Sequence, residues 1–224
     1  LRRTWCETLL ATDAAIDYGF GVSAARVTKQ QARSIGRLAD STGAFVRLSR
    51  ANPHPDDEPE RPRKGVPHHL GLSKHSFVSV VSAKKRHKAH SGALEATGLT
   101  LGVKWLLRKR ANHDKRVVVL VDAQAVLGAA AKGRTSAQTI KREIRRLGAH
   151  VVACGLLLRL VYIPSEDNPA DAPSRGVQRR AFRKKGVIGP LRVVNFKCDD
   201  AHVRRTSLHN GCDGFDGRKC PSCM

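Results

Sequence analysis

Aromatic residues are scarce: Phe, Trp and Tyr together make up 4% of the chain. A protein that grips single strands by stacking bases on rings needs more of them, so contact with a phosphate backbone is the better expectation. Long hydrophobic runs are missing as well. No apolar stretch approaches the roughly 20 residues that span a bilayer, and no signal-peptide pattern opens the chain, which excludes a membrane-spanning helix and reads as intracellular, cytoplasmic or nuclear. Cysteine is thin over most of the length, with Cys6 and Cys154 alone and four more crowded at the end, which is not a secreted disulfide framework. Acids are few, 19 against 41 Lys and Arg, for a formal net charge of +22. Such an excess implies a polyanionic partner, because phosphate contacts with counterion release dominate nucleic-acid affinity. Ribosomal-type binding or an acidic membrane surface would share the signature, so charge alone names no function. The 224 residues suffice for one good-sized domain plus an appendage, and a first residue of Leu rather than Met reads as a piece of a longer polypeptide.

Apolar runs and turn signals set out the elements. The run Leu9–Thr12 ends on Asp13, and Asp17-Tyr18-Gly19 turns the chain into a second strand from Phe20. Thr28–Ala39 reads as a short helix, and Ala44–Leu48 as a small apolar run after Gly43. A Pro- and charge-rich insertion follows at about 50–68, with Asp56, Asp57 and Glu58 in a setting that gives them no fixed geometry. Ser76–Ser82 alternates as a strand does, and Ala93–Leu107 places Leu94, Leu101 and Trp105 at helical spacing with Glu95 near its start. Val117–Val121 is apolar throughout, as expected of a strand buried on both faces, and ends on Asp122. A Lys-Gly-Arg turn leads to a basic helix, Ala137 to about Ala153, capped by Thr135 or Ser136. Leu156–Ile163 is a second buried strand, and Asp171–Phe182 is expected to form a terminal helix. Three early strands on short links pair antiparallel, and the later strand-helix-strand alternation needs parallel pairing. The expectation is an α/β domain over 1–176 with a mixed five-stranded sheet flanked by helices, then a basic tail over 177–224.

In that topology Asp13 and Asp122 sit on adjacent parallel strands, with Glu95 reaching in from the helix across them and Asp171 from the last helix. Four carboxylates so close repel one another unless divalent cations neutralise them. Ligands that are all oxygen select Mg²⁺ or Mn²⁺ over zinc, and two such ions about 3.5–4 Å apart serve in-line displacement at phosphate.

The stretches TDAAIDYGFGV around Asp13, HSGALEATGL around Glu95, LVDAQAVLGAAAKGRTS around Asp122 and YIPSEDNPADAPSR around Asp171 resemble the ribonuclease H domain of retroelement reverse transcriptases, particularly the tyrosine-recombinase (DIRS-like) group. The resemblance covers roughly Leu9 to Arg175. It implies an RNase H-like fold, catalytic and metal-binding roles for Asp13, Glu95, Asp122 and Asp171, and two Mg²⁺ or Mn²⁺ ions. Asp13 would bridge both metals, Glu95 and Asp122 would complete the leaving-group side, and Asp171 the side of the attacking water. The implied reaction is hydrolysis of the RNA strand of an RNA–DNA hybrid, beside the polymerase domain of a parent polyprotein. Where the family carries larger residues the chain has Ser91-Gly92-Ala93, and Gly92 is expected to loosen the helix start. A catalytically inactive nucleic-acid-binding remnant, or an integrase- or transposase-type nuclease of the same fold, are the rival readings.

Other residues admit two readings each. Asp17 forms a turn or ligates; Glu166 and Asp167 face solvent. His90 either makes a helix-start hydrogen bond or carries a proton. Lys132, Arg134 and Arg145 suit phosphate contacts, or belong to a plain charged surface. The tail holds a basic run from Arg179 to Lys185 and a Cys/His group in which Cys198, Cys212, Cys220 and Cys223 are candidate Zn²⁺ ligands, with an unstructured tail as the alternative.

Overall fold

The structure is a computed structural model, and it describes residues 3–39, 67–87 and 89–177. Within these, six strands form one mixed sheet: β1 (Thr4–Trp5), β2 (Thr8–Ala14), β3 (Gly19–Arg26), β4 (Val78–Lys84), β5 (Lys115–Val121) and β6 (Leu157–Tyr162). The helices are α1 (Lys29–Arg37), α2 (Ser91–Leu107), α3 (Gln124–Lys132), α4 (Gln138–Ala153) and α5 (Asp171–Ser174). Residues 40–66, the tail from 178, and with them the acidic insertion, the Ala44–Leu48 run and the four candidate zinc cysteines, lie outside the described residues.

The unbroken apolar run of β5 has a direct cause. Val117, Val119 and Val121 enter the core under α2 and α4, while Val118 and Leu120 enter a second core under α1. A strand buried on both faces has no polar side to show. It pairs in parallel with β2 and β6, whereas β2–β3 and β3–β4 are antiparallel. Arg116 pairs with Trp5 on one edge and with Leu157 on the other, so β1 lies in line with β2. The order across the sheet is therefore β4, β3, β2 with β1, β5, β6.

The sheet thus has six strands where the sequence suggested five. The extra one, Thr4–Trp5, is two residues long, too short for alternation to register, and it is interrupted from β2 at Cys6–Glu7. Two helices also depart from expectation. α3 is an additional helix, an Ala-rich segment with no side-chain cap, and its Gly133 (φ 67°) ends it within the Lys-Gly-Arg turn. α5 stops at Ser174 rather than Phe182. Gly176 takes φ 85°, its N–H bonds Pro173 O at 3.2 Å, and Val177 N–H bonds Ala172 O at 2.9 Å, a Schellman stop that no expected pattern could run through.

α4 buries Ile140, Ile144 and Leu147 and exposes Arg142, Arg145 and Arg146. The buried face of α2 is Leu99, Val103 and Leu106, not the Leu101–Trp105 face, both of which are only partly buried. No helix among the described residues is long and apolar enough to cross a membrane.

Candidate metal centre

Register brings the first two acids together. Thr12 of β2 lies beside Val121 of β5 in parallel pairing, so the next residues, Asp13 and Asp122, emerge side by side at one end of the sheet. The third acid depends on how closely α2 can approach. A Cβ on Gly102 would lie 2.8 Å from Thr12 Cγ2, and one on Gly98 would lie 3.1 Å from Asp13 O. Two glycines one turn apart thus let the helix rest on β2, and Glu95 sits one turn before Gly98. α2 starts at Ser91, just before Gly92. His90 is its N-cap, and the Gly92 N–H donates to His90 Nδ1 at 3.2 Å, which settles His90 as a capping residue in this structure.

The result is a cluster of Asp13, Glu95 and Asp122, with one carboxylate oxygen from each lying within 4.8 Å of the others. Asp13 is 7% exposed and the other two are partly buried. Burial first, then the charges of Asp13 and Asp122, push the Glu95 carboxyl up to about 8, against a partial offset from the Ala14 backbone N–H. Burial likewise raises Asp13, opposed by a hydrogen bond from Ser174 and reinforced by the charges of Asp122 and Asp171. Asp13 and Glu95, both raised by burial, lie with Asp122 in a donor set suited to a divalent cation that prefers oxygen.

Asp171 is not brought into that group. Its carboxylate accepts from Arg175 Nε at 2.8 Å, and its side chain is 41% exposed. It acts on Asp13 through charge alone. The residue of α5 that touches the cluster is Ser174, fully buried, whose Oγ donates to Asp13 Oδ2.

The turn before α5 is anchored by residues the sequence reading passed over. Asn168, 1% exposed, donates from Nδ2 to Thr12 O at 3.1 Å and accepts the Ala170 N–H at 3.0 Å. Ser23 Oγ donates to Pro169 O at 3.0 Å and Ser82 Oγ to Pro173 O at 2.8 Å. An Asn two residues ahead of the N–H it binds is a recognisable turn signal. The serines give no such signal, because their partners are remote in sequence. Gly21, paired with Asp13, completes the seat: a Cβ there would lie 2.3 Å from Ala170 O and 2.4 Å from Ser174 N.

The remaining candidates are peripheral. Asp17 is exposed in a bend, and Asp167 pairs with His69 at 2.8 Å. Lys132 closes α3 half-buried, and Arg134 and Arg145 are exposed. No protein-family model matches the chain, and no curated protein matches it either.

Proposed function

We propose that this chain is a divalent-metal-dependent endonuclease that hydrolyses the RNA strand of RNA–DNA hybrids, the ribonuclease H part of a retroelement reverse transcriptase working beside a polymerase domain. The observation that carries the reading is the carboxylate cluster of Asp13, Glu95 and Asp122, set at the end of two parallel central strands and a helix laid across them. The mixed sheet, with its antiparallel β4-β3-β2 half and parallel β2-β5-β6 half, is compatible with an RNase H-like fold.

In this reading Asp13, Glu95 and Asp122 would hold Mg²⁺ or Mn²⁺, and Asp171, whose charge reaches Asp13, would take part only on leaving Arg175. Bound ions of this kind activate a water and stabilise the departing oxygen. The chain's own part is to preorganise: Ser174 fixes the Asp13 carboxylate, Asn168 ties the turn to the Asp13 strand, and the α2 glycines set the reach of Glu95. Exposed Arg142 and Arg145 on α4 supply phosphate contacts to a substrate of opposite charge.

The test is incubation of the full chain with end-labelled RNA–DNA hybrid in Mg²⁺ or Mn²⁺. Cleavage of the RNA strand that vanishes in Asp122→Asn is the expected result, and no cleavage with either metal sinks the proposal. The pairing of Asp171 with Arg175, which leaves three acids together, favours as second reading an integrase-type nuclease acting on DNA ends. A strand-transfer assay on duplex DNA ends separates the two.

A further inference from the structure

At the other end of β5 from the acids, the α1 side of the sheet carries a concavity of about 310 Å³ lined by Trp5, Arg33, Gly36, Arg37, Ala39, Arg116 and Arg159. Arg116 lies six residues up β5 from Asp122, a separation of about 20 Å along an extended strand. The site is therefore distinct from the carboxylate cluster.

Its construction follows from register. Trp5 and Arg116 are paired residues on β1 and β5, and Arg159 of β6 is paired with Val118, so all three side chains fall on the face covered by α1. Gly36 lets α1 close over them: a Cβ there would lie 2.3 Å from the Trp5 ring. Arg33 and Arg37, four residues apart, then stand on the same side of α1 at the rim, both exposed. The Arg116 guanidinium lies 5.5 Å from the Trp5 ring centre.

Four guanidiniums thus surround one small cavity, and no Asp or Glu lines it among the described residues. Like charges four apart on a helix destabilise it, and buried guanidinium nitrogens without acceptors cost more. Both costs are present here. The Nε atoms of Arg116 and Arg159 are buried with no hydrogen-bond partner, although most buried polar atoms in folded proteins have one. The missing component is an acceptor-rich anion. Guanidinium forks match phosphate oxygens bidentately, and the volume is at the lower end for a ligand site.

We infer that this arginine pocket binds a phosphate group presented by a nucleic-acid strand, as a second nucleic-acid contact remote from the metal centre. The inference does not rest on the nuclease reading. A strand held there is gripped by its backbone, which accords with the scarcity of aromatics and with the net charge of +22.

The chain's two tryptophans make the test local. In the Trp105→Phe variant of this 224-residue chain, Trp5 is the sole indole, and its emission reports the pocket. Titration with short single-stranded RNA should shift that emission. In Arg33→Gln/Arg37→Gln, exposed positions that spare the core, the apparent Kd should rise about tenfold and the slope of log K against log salt should fall by about one per lost phosphate contact. Arg159→Lys, which keeps the charge but removes the fork, should weaken binding without altering that slope. Inorganic phosphate and adenosine monophosphate are titrated in parallel. A response to these and none to RNA would assign the pocket to a free small anion and overturn the strand assignment. An emission unmoved by all three probes, or an RNA response identical in the arginine variants, would overturn the site altogether. Adding Asp122→Asn to the reporter protein should leave the response unchanged, so failure of cleavage and failure of the pocket are read separately.

Discussion

Glu95 is a residue whose protonation is strongly displaced by folding. Its carboxyl is pushed up from 4.5 to about 8 by burial and by Asp13 and Asp122. Between those values the unfolded chain gives up the proton and the metal-free folded protein keeps it, so the unfolded state binds fewer protons there. The contribution to stability is full below about 4.5 and is lost as pH rises through about 8. Asp13 shifts in the same direction and adds the same sign. Melting curves recorded in chelator should therefore show Tm falling across that window, and Glu95→Gln, which cannot ionise, should flatten the fall. A metal-free Tm that rises over the same range would remove the electrostatic account of the cluster. Ser174 offers a second residue-level test, because its hydroxyl is the neutral donor that steadies the Asp13 carboxylate. Ser174→Ala should cost about ten- to a hundredfold in metal affinity or cleavage, the usual penalty for losing a group that orients a ligand. Since the hydroxyl lowers Asp13, the acidic limb of the rate profile should also move to higher pH in the variant. A purely structural serine would not move that limb.

At the scale of elements, the site is made by close approaches, and these were the least legible part of the sequence. Apolar runs ending on an acid placed Asp13 and Asp122 correctly; β5, buried on both faces, writes itself as unbroken Val and Leu, and β2 carries a shorter Leu-Leu-Ala run before Thr12. Glu95 was legible through its helix. What could not be read was contact across long sequence separations: Ser174 on Asp13, Asn168 on Thr12, and the glycines that let two backbones meet. The same limit explains the sheet and helix counts. β1 is too short to alternate, α3 has propensity but no cap, and the Gly176 stop cut α5 to four residues; Asp171 at its start pairs with Arg175, four residues on, and does not join the cluster. Gly21 tests the idea that docking of α5 governs the site. A methyl there meets backbone atoms of Ala170 and Ser174 at 2.3 and 2.4 Å, which cannot swing aside as a side chain can. Gly21→Ala should displace α5, lower stability by about 1–3 kcal/mol, and reduce cleavage at least as far as Ser174→Ala. Far-UV circular dichroism should stay native. Wild-type cleavage in a folded Gly21→Ala protein would show that the position of α5 does not matter to the chemistry.

For the whole molecule, the proposed binding and the proposed chemistry draw on opposite charges and can be tested separately. The acids gather at one end of the parallel strands, while the net charge of +22 belongs to the protein as a whole. Affinity for an RNA–DNA hybrid should consequently be dominated by counterion release, and a contact with several phosphates loses about 10³-fold or more between low and moderate salt. Helix α4 is where this can be assigned. Its inner face, Ile140, Ile144 and Leu147, is buried, and Arg142 and Arg145 on its outer side are exposed, so their removal touches no core contact. Arg146 is the poorer choice, since it already pairs with Glu143 at 3.0 Å. Arg142→Gln/Arg145→Gln should therefore keep the wild-type Tm and single-turnover cleavage rate at saturating hybrid. Its binding should weaken, with a log K–log salt slope shallower by about two. Asp122→Asn should show the opposite pattern, with cleavage gone and the slope preserved or slightly steeper, because one repelling carboxylate has been neutralised near the substrate. If the double arginine variant binds hybrid with an unchanged slope, α4 is not the substrate face, and the polyanion is held by the remaining basic surface alone.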